Sequence, residues 1–154
     1  MITSPVIEML SIDACPAHLA QGGVGRVAVT CNALPVIQPV PFAFHDEHVV
    51  IRAPKRSSLC RAVEGSVVAF NVDHFEEGGG QGWSVLVQGV GEDVNDPDLL
   101  TSLLALPLAS WSDKPETDCF MRVPLTKMTG TQIRWPSRHT VDVARLRARA
   151  VHAR

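Results

Sequence analysis

Two prolines set two residues apart inside a β-prone run constrain this chain more than any other local feature. Pro39 and Pro41 fall in Val-Ile-Gln-Pro-Val-Pro-Phe-Ala-Phe, Val36 to Phe44. Side chains of a strand alternate between its faces. Gln38, Val40, Phe42 and Phe44 therefore share one face, and Ile37, Pro39, Pro41 and Ala43 the other. Both prolines lack a backbone N–H on the same edge, so another strand cannot pair fully along it. The small, flat, apolar face of Pro39, Pro41 and Ala43 suits a planar ring. A polar turn, His45-Asp-Glu-His48, leads into a second strand that ends in a basic, hydroxyl-rich turn opening a helix. Arg52, Lys55, Arg56, Ser57 and Ser58 there carry the charges and hydroxyls that a phosphate needs. A ring site beside a phosphate site points to a nucleotide-like cofactor. The plainer readings are an edge strand protected by proline and a solvated turn with an ordinary helix cap.

At 154 residues the chain is sized for one domain with a real core. A net charge of −2 gives no reason to expect a nucleic-acid or membrane surface. No apolar run approaches the roughly 18–20 residues of a membrane span, and Met-Ile-Thr-Ser-Pro does not open like a signal peptide. A cytoplasmic protein is expected. Cys15, Cys31, Cys60 and Cys119 form no Cys-x-x-Cys pair, a spacing that predicts four free thiols in a reducing cytosol. The histidines show no metal-ligand spacing, so no metal site is expected. Neither a Gly-x-Ser-x-Gly elbow nor a phosphate loop is present, which leaves hydrolase and nucleotidase readings without support.

Strand signals dominate the rest. Ser11 reads as an N-cap for a helix over Ile12 to Ala20, stopped by Gly22-Gly23. Strands are expected over Arg26–Cys31, Ser66–Asp73 and Gly82–Val94, with a helix from Leu59 to Glu64 between the hairpin and the second of these. Asp96-Pro97-Asp98 opens a helix that runs to about Leu106. Pro107 to Asp118 is an irregular connection, and two last strands flank a turn at Met128-Thr-Gly130. Gly78 to Gly80 lie in a polar loop. A basic tail of good helix formers, 141–154, follows a main domain at 1–140. The pattern predicts a small, mainly β barrel with short helices at its edges.

Gly22 to Val29, Pro39 to Phe42, Ile51 to Pro54, Val68 to Asp73 and Gly82 to Gly89 appear in that order. The succession resembles the pyridoxamine 5'-phosphate oxidase-like, FMN-binding split-barrel family over about residues 5 to 135. The resemblance implies a six-stranded split barrel and a homodimer with FMN in the cleft between subunits. It implies that the backbone of Gln38, Pro39, Val40, Pro41 and Phe42 lines the isoalloxazine ring. Arg52, Ala53, Ser57 and Ser58 would then stand at the family's phosphate-binding positions, and Trp83 and Ser84 would reach the cofactor from a neighbouring strand. Ser58 stands where many relatives carry lysine, and Lys55 and Arg56 are placed to restore that charge. Thr129-Gly-Thr-Gln-Ile133 stands where close relatives often have Gly-Arg-Arg. The segment Arg134 to Thr140 does not match the substrate segment of the biosynthetic branch. The function implied is a flavin-dependent oxidoreductase acting on a small molecule. Its alternatives are a deazaflavin-dependent or nitroreductase-like reductase, or a flavin- or haem-binding module with His74 or Cys60 as axial ligand.

Overall fold

Alternation of burial shapes the molecule, which is a computed structural model describing residues 5–77 and 80–135. The strands are β1 (Val6–Met9), β2 (Gly23–Cys31), β3 (Leu34–His45), β4 (His48–Pro54), β5 (Val67–Phe75), β6 (Gln81–Val90), β7 (Glu92–Asp93), β8 (Asp118–Pro124) and β9 (Lys127–Arg134). Along β2, Gly25, Val27 and Val29 are buried while Val24, Arg26 and Thr30 are exposed. That period of two turns one face of the sheet inward. All nine strands join one antiparallel sheet in the order β1-β9-β6-β5-β2-β3-β4-β8-β7. The sheet curls until β6 meets β8 without pairing to it. A Cβ added at Gly89 would lie 2.6 Å from the Pro124 carbonyl oxygen.

Three short helices cover the sheet: α1 (Cys15–Leu19), α2 (Ser58–Val63) and α3 (Pro97–Leu104). The main core gathers Val27, Val40, Phe42, Ile51, Phe70, Val85 and Met121 inside the curl. Leu19 of α1 and Leu59 and Val63 of α2 close it. A second cluster lies on the opposite face of β3, β4 and β8. There Ala43, Val50 and Phe120 pack with Val94, Leu108 and Leu103 of α3. Among the described residues no helix is long and apolar enough to cross a membrane.

The mainly β, split-barrel class is as expected, but among the described residues nine strands replace six. The short β1 and β7 at the two ends of the sheet account for most of the difference. Backbone pairing and one ion pair each, Glu8 with Arg134 and Glu92 with Arg122, carry them, because β1 buries almost none of its side chains. Ser57 and Asp96 cap α2 and α3, accepting from Cys60 N at 3.3 Å and Leu99 N at 2.8 Å. Ser11 does not cap with its side chain. A 3-10 turn, Ile12–Ala14, precedes α1, and the Ala14 N–H donates to the Ser11 carbonyl at 3.0 Å. Gly130 sits inside β9, paired with Val85, rather than in a turn. An added Cβ there would lie 2.6 Å from Cys15 Sγ, so this glycine allows close approach of the N-terminal segment. The four-thiol expectation is also corrected: Cys60 and Cys119 form a disulfide, while Cys15 and Cys31 are free. Distance in sequence hid the pair. The tail 141–154 and Gly78–Gly79 lie outside the described residues.

Candidate functional site

Two tight turns fix which edge of β3 each residue addresses. Asn32 and Ala33 have φ of 50° and 63°, Asp46 and Glu47 of 49° and 55°. Both are two-residue hairpin turns with left-handed central residues. Their closing pairs, Cys31 with Leu34 and His45 with His48, exchange both backbone hydrogen bonds. Even-numbered residues of β3 consequently address β2, and odd-numbered residues address β4. Pro35, Pro39 and Pro41 all lack their donor on the β4 side. The consequence is visible in the register. The β2–β3 ladder runs unbroken from Leu34 to Phe42, whereas the β3–β4 ladder stops at Phe42 with Ile51. From Arg52 onward β4 pairs only with β8. The two strands part where the prolines begin. Backbone carbonyls of Ile37, Pro39 and Pro41 are left without β4 partners along the open edge.

The residues singled out from sequence divide by position. Val40 and Phe42 point into the main core, with the Phe42 and Phe70 rings 4.8 Å apart, so only their backbone can serve a ligand. Gln38 and Pro39 are exposed and Pro41 is buried. Ala43 is removed from the flat face because the α3 cluster covers it. Across the ladder, Val24 and Arg26 stand opposite Pro41 and Pro39. Arg26 forms a 2.7 Å ion pair with Asp73. Ala53 is buried, and Lys55, Arg56 and Ser58 are exposed. Trp83 and Ser84, as neighbours in a strand, face opposite ways. Trp83 stacks on His18 at 4.1 Å with its ring against the core, whereas Ser84 accepts from Asn71 Nδ2 at 2.8 Å. His74 is exposed, its ring centre 6.3 Å from that of Trp83. Cys60, consumed in the disulfide, is no free thiolate ligand.

Arg52 occupies a different station from its neighbours. Its side chain is 15% exposed, and Asp118, 1% exposed, accepts from its Nε at 2.8 Å. Its other nitrogens donate to the carbonyls of Leu108 and Pro115, at 3.4 and 3.0 Å. The guanidinium also lies 5.4 Å from the centre of the Phe120 ring. Ser110 Oγ donates to the same Asp118 oxygen at 2.6 Å. Arg52 thus ties the 108–118 connection to β4, and within the basic turn Lys55 and Arg56 have no ion-pair partner among the described residues. Opposite them the tied connection carries Trp111, Ser112 and Lys114, which the sequence reading had left unassigned. The two walls bound a cleft of about 710 Å³. No periodicity marked those three residues, although an indole in a Pro- and Ser-rich connection was a signal available to find them.

Comparison with known proteins agrees with the architecture. Residues 11–132 match the family model described as pyridoxamine 5'-phosphate oxidase. An uncharacterized protein of Mycobacterium tuberculosis, Rv0080, is 36% identical over 98 residues; the match spans 60% of this chain and 64% of that protein. The solved structure of an FAD binding protein from Mycobacterium smegmatis superimposes with a TM-score of 0.71 at 28% identity, covering 82% of this chain and 98% of that one. An FAD-binding protein from Mesorhizobium loti shares the fold, with a TM-score of 0.67 at 22% identity over 84% of this chain and 98% of its own.

Proposed function

This chain belongs to the pyridoxamine 5'-phosphate oxidase family, and from that premise we propose that it binds a flavin, FMN in the simplest case. In this reading it serves, as a cytoplasmic homodimer, as a flavin-dependent oxidoreductase for a small molecule. The observation that carries the proposal is the parting of β3 from β4 after Phe42 and Ile51. It leaves acceptor carbonyls on an edge that lacks the donors of Pro35, Pro39 and Pro41, just where β4 runs on toward the basic turn. Carbonyls of Ile37 and Pro39 would accept from a ring N–H, and the exposed apolar face of Pro39 would support the ring. Lys55 and Arg56, with the Ser58 hydroxyl, would hold the phosphate. Arg52 has the positioning role described above. The bound flavin supplies hydride chemistry. The chain has mainly to align ring and substrate, so no side chain is assigned as acid or base.

Support for the homodimer comes from the outward face, where Ile7, Met9, Val24, Ile37, Val67 and Val90 are 47% to 73% exposed. Large apolar side chains exposed on the outer side of a sheet offer a second copy of the chain something to cover. Light scattering on the purified protein is expected to report a dimer. The flavin itself is tested by absorbance and by FMN titration of Lys55→Ala/Arg56→Ala. Charge-assisted bonds contribute about 1.5–3 kcal/mol each, so the double variant should bind FMN at least about tenfold more weakly. Unchanged affinity would remove the turn from the site. Uptake of a deazaflavin in preference to FMN would redirect the reading to a deazaflavin-dependent reductase.

A further inference from the structure

Both ends of the basic turn are fastened to consecutive residues of β8. At its start, Pro54 pairs with Asp118. At its end, Cys60, in the first turn of α2, is bonded to Cys119. Lys55, Arg56, Ser57 and Ser58 lie between the two fastenings. The first closes a ladder that continues back to His48, so it opens only with the sheet. The second is a single bond between two half-buried residues at the margin of the main core. Neither sulfur is sealed inside as Cys15 is. In the cytoplasm proposed above, such a bond is usually transient and serves catalysis or redox sensing.

The surroundings of Cys60 suit it to leave and to be received. Ser57 Oγ donates to Cys60 Sγ at 3.4 Å. A hydrogen bond to the charged form favours a thiolate, and a stabilised thiolate leaves faster in exchange. The Pro54 carbonyl stands 3.3 Å from the same sulfur, ready to accept from its S–H after reduction. That acceptor belongs to the turn and not to β8, so it does not restore the fastening. A six-residue helix is not stable by itself. Without the bond, α2 is held chiefly by Leu59 and Val63, 2% and 0% exposed. Local opening there releases the turn and leaves the sheet intact.

We propose that Cys60–Cys119 is a thiol–disulfide exchange site, reduced by a dithiol, that sets how firmly the basic turn is held. The dithiol's thiolate attacks Cys119 Sγ, the Cys60–Cys119 bond breaks, and Cys60 leaves as thiolate. The reagent's second thiol then displaces Cys119 from the mixed disulfide. Two electrons and two protons enter the chain, which ends with two thiols, and the reagent departs as its disulfide. The consequence for ligand binding rests on the flavin reading above: Lys55 and Arg56, once loosened, must be ordered anew around a phosphate, which lowers affinity.

Trypsin cuts after Lys55 and Arg56, so cleavage at the turn, followed by mass spectrometry, reports opening without any ligand. The full chain is digested oxidised, after dithiothreitol, and as Cys60→Ser/Cys119→Ser, with circular dichroism following the sheet. Dithiothreitol should reduce the bond without denaturant and leave the β spectrum in place. Cleavage at the turn should rise at least about tenfold, and oxidised glutathione should reverse it. The double variant should be cut at the fast rate with or without dithiothreitol. FMN affinity should fall at least about threefold on reduction. A bond that yields only in urea would overturn the inference, as would an unchanged cleavage rate or an FMN affinity equal in both states. Loss of the whole β spectrum on reduction would also overturn it, since the bond would then be a structural staple. Failure to bind FMN in either state, with cleavage still responding, would end the flavin reading and leave the exchange site standing.

Discussion

Arg52 and Asp118 allow the tie between β4 and the 108–118 connection to be measured. Replacing Arg52 by Ala removes a 2.8 Å charge-assisted bond to Asp118, two bonds to backbone carbonyls and the approach to the Phe120 ring. It also leaves the Asp118 carboxylate, 1% exposed, with only the Ser110 hydroxyl as partner. Breaking a buried ion pair from one side costs about 3–5 kcal/mol, and Arg52 at 15% exposure is shielded enough for that range to apply. Asp118→Asn keeps the volume but forfeits the charge, so it should cost somewhat less, about 2–3 kcal/mol. The double variant should fall short of the sum by about 1–3 kcal/mol, the usual coupling of residues in contact. Urea unfolding followed by tryptophan fluorescence supplies all three values. Hydrogen exchange should show the amides of 108–118 opening well before those of β4 in the single variants. A loss under about 1 kcal/mol for Arg52→Ala, with additive effects in the double variant, would refute the claim that this pair anchors the connection.

Other expectations are simpler. Ala33 sits at φ 63° in a hairpin turn, so Ala33→Gly should relieve left-handed strain and raise stability by roughly 0.5–1 kcal/mol in urea titration. Gly91→Ala would place a Cβ 2.4 Å from both a methyl and the carbonyl oxygen of Val63. Backbone cannot move aside cheaply, and a loss of about 1–3 kcal/mol is expected in the same assay. Burial pushes the Cys15 thiol up, against the smaller opposing effect of a hydrogen bond from its own backbone. Less of it is thiolate at pH 8, so iodoacetamide should label the partly exposed Cys31 first, and Cys60 and Cys119 only after reduction.

What could be read from the sequence was what the chain decides locally. The donor-free edge at Pro39 and Pro41 follows from the ring chemistry of proline, and the parting of β3 and β4 occurs there. Ser57 and Asp96 cap their helices because a side-chain oxygen reaches an N–H three residues on. Pairings made over long separations were not legible. β1 finds β9 across the whole domain, Arg52 finds Asp118 sixty-six positions away, and Cys60 finds Cys119 fifty-nine away. Gly130 illustrates the difficulty, since glycine marks a turn and a close approach equally well, and only the packing of Cys15 decides. The same limit shaped the site. The basic turn was visible because its residues are consecutive. The opposite wall, with Trp111 and Lys114, was invisible because an irregular connection has no period and only the distant Arg52 and Asp118 hold it in place.

The hairpin of β2 and β3 leaves Leu34, Val36 and Ile37 open to solvent, 38% to 70% exposed. Apolar residues on an unpaired strand rim ordinarily invite runaway polymerisation, in which each new chain hydrogen-bonds to the last. Three missing donors along this rim interrupt the bonding such growth requires. Any molecule that covers these residues must therefore come at them through side chains, which favours closed, finite assemblies over fibrils.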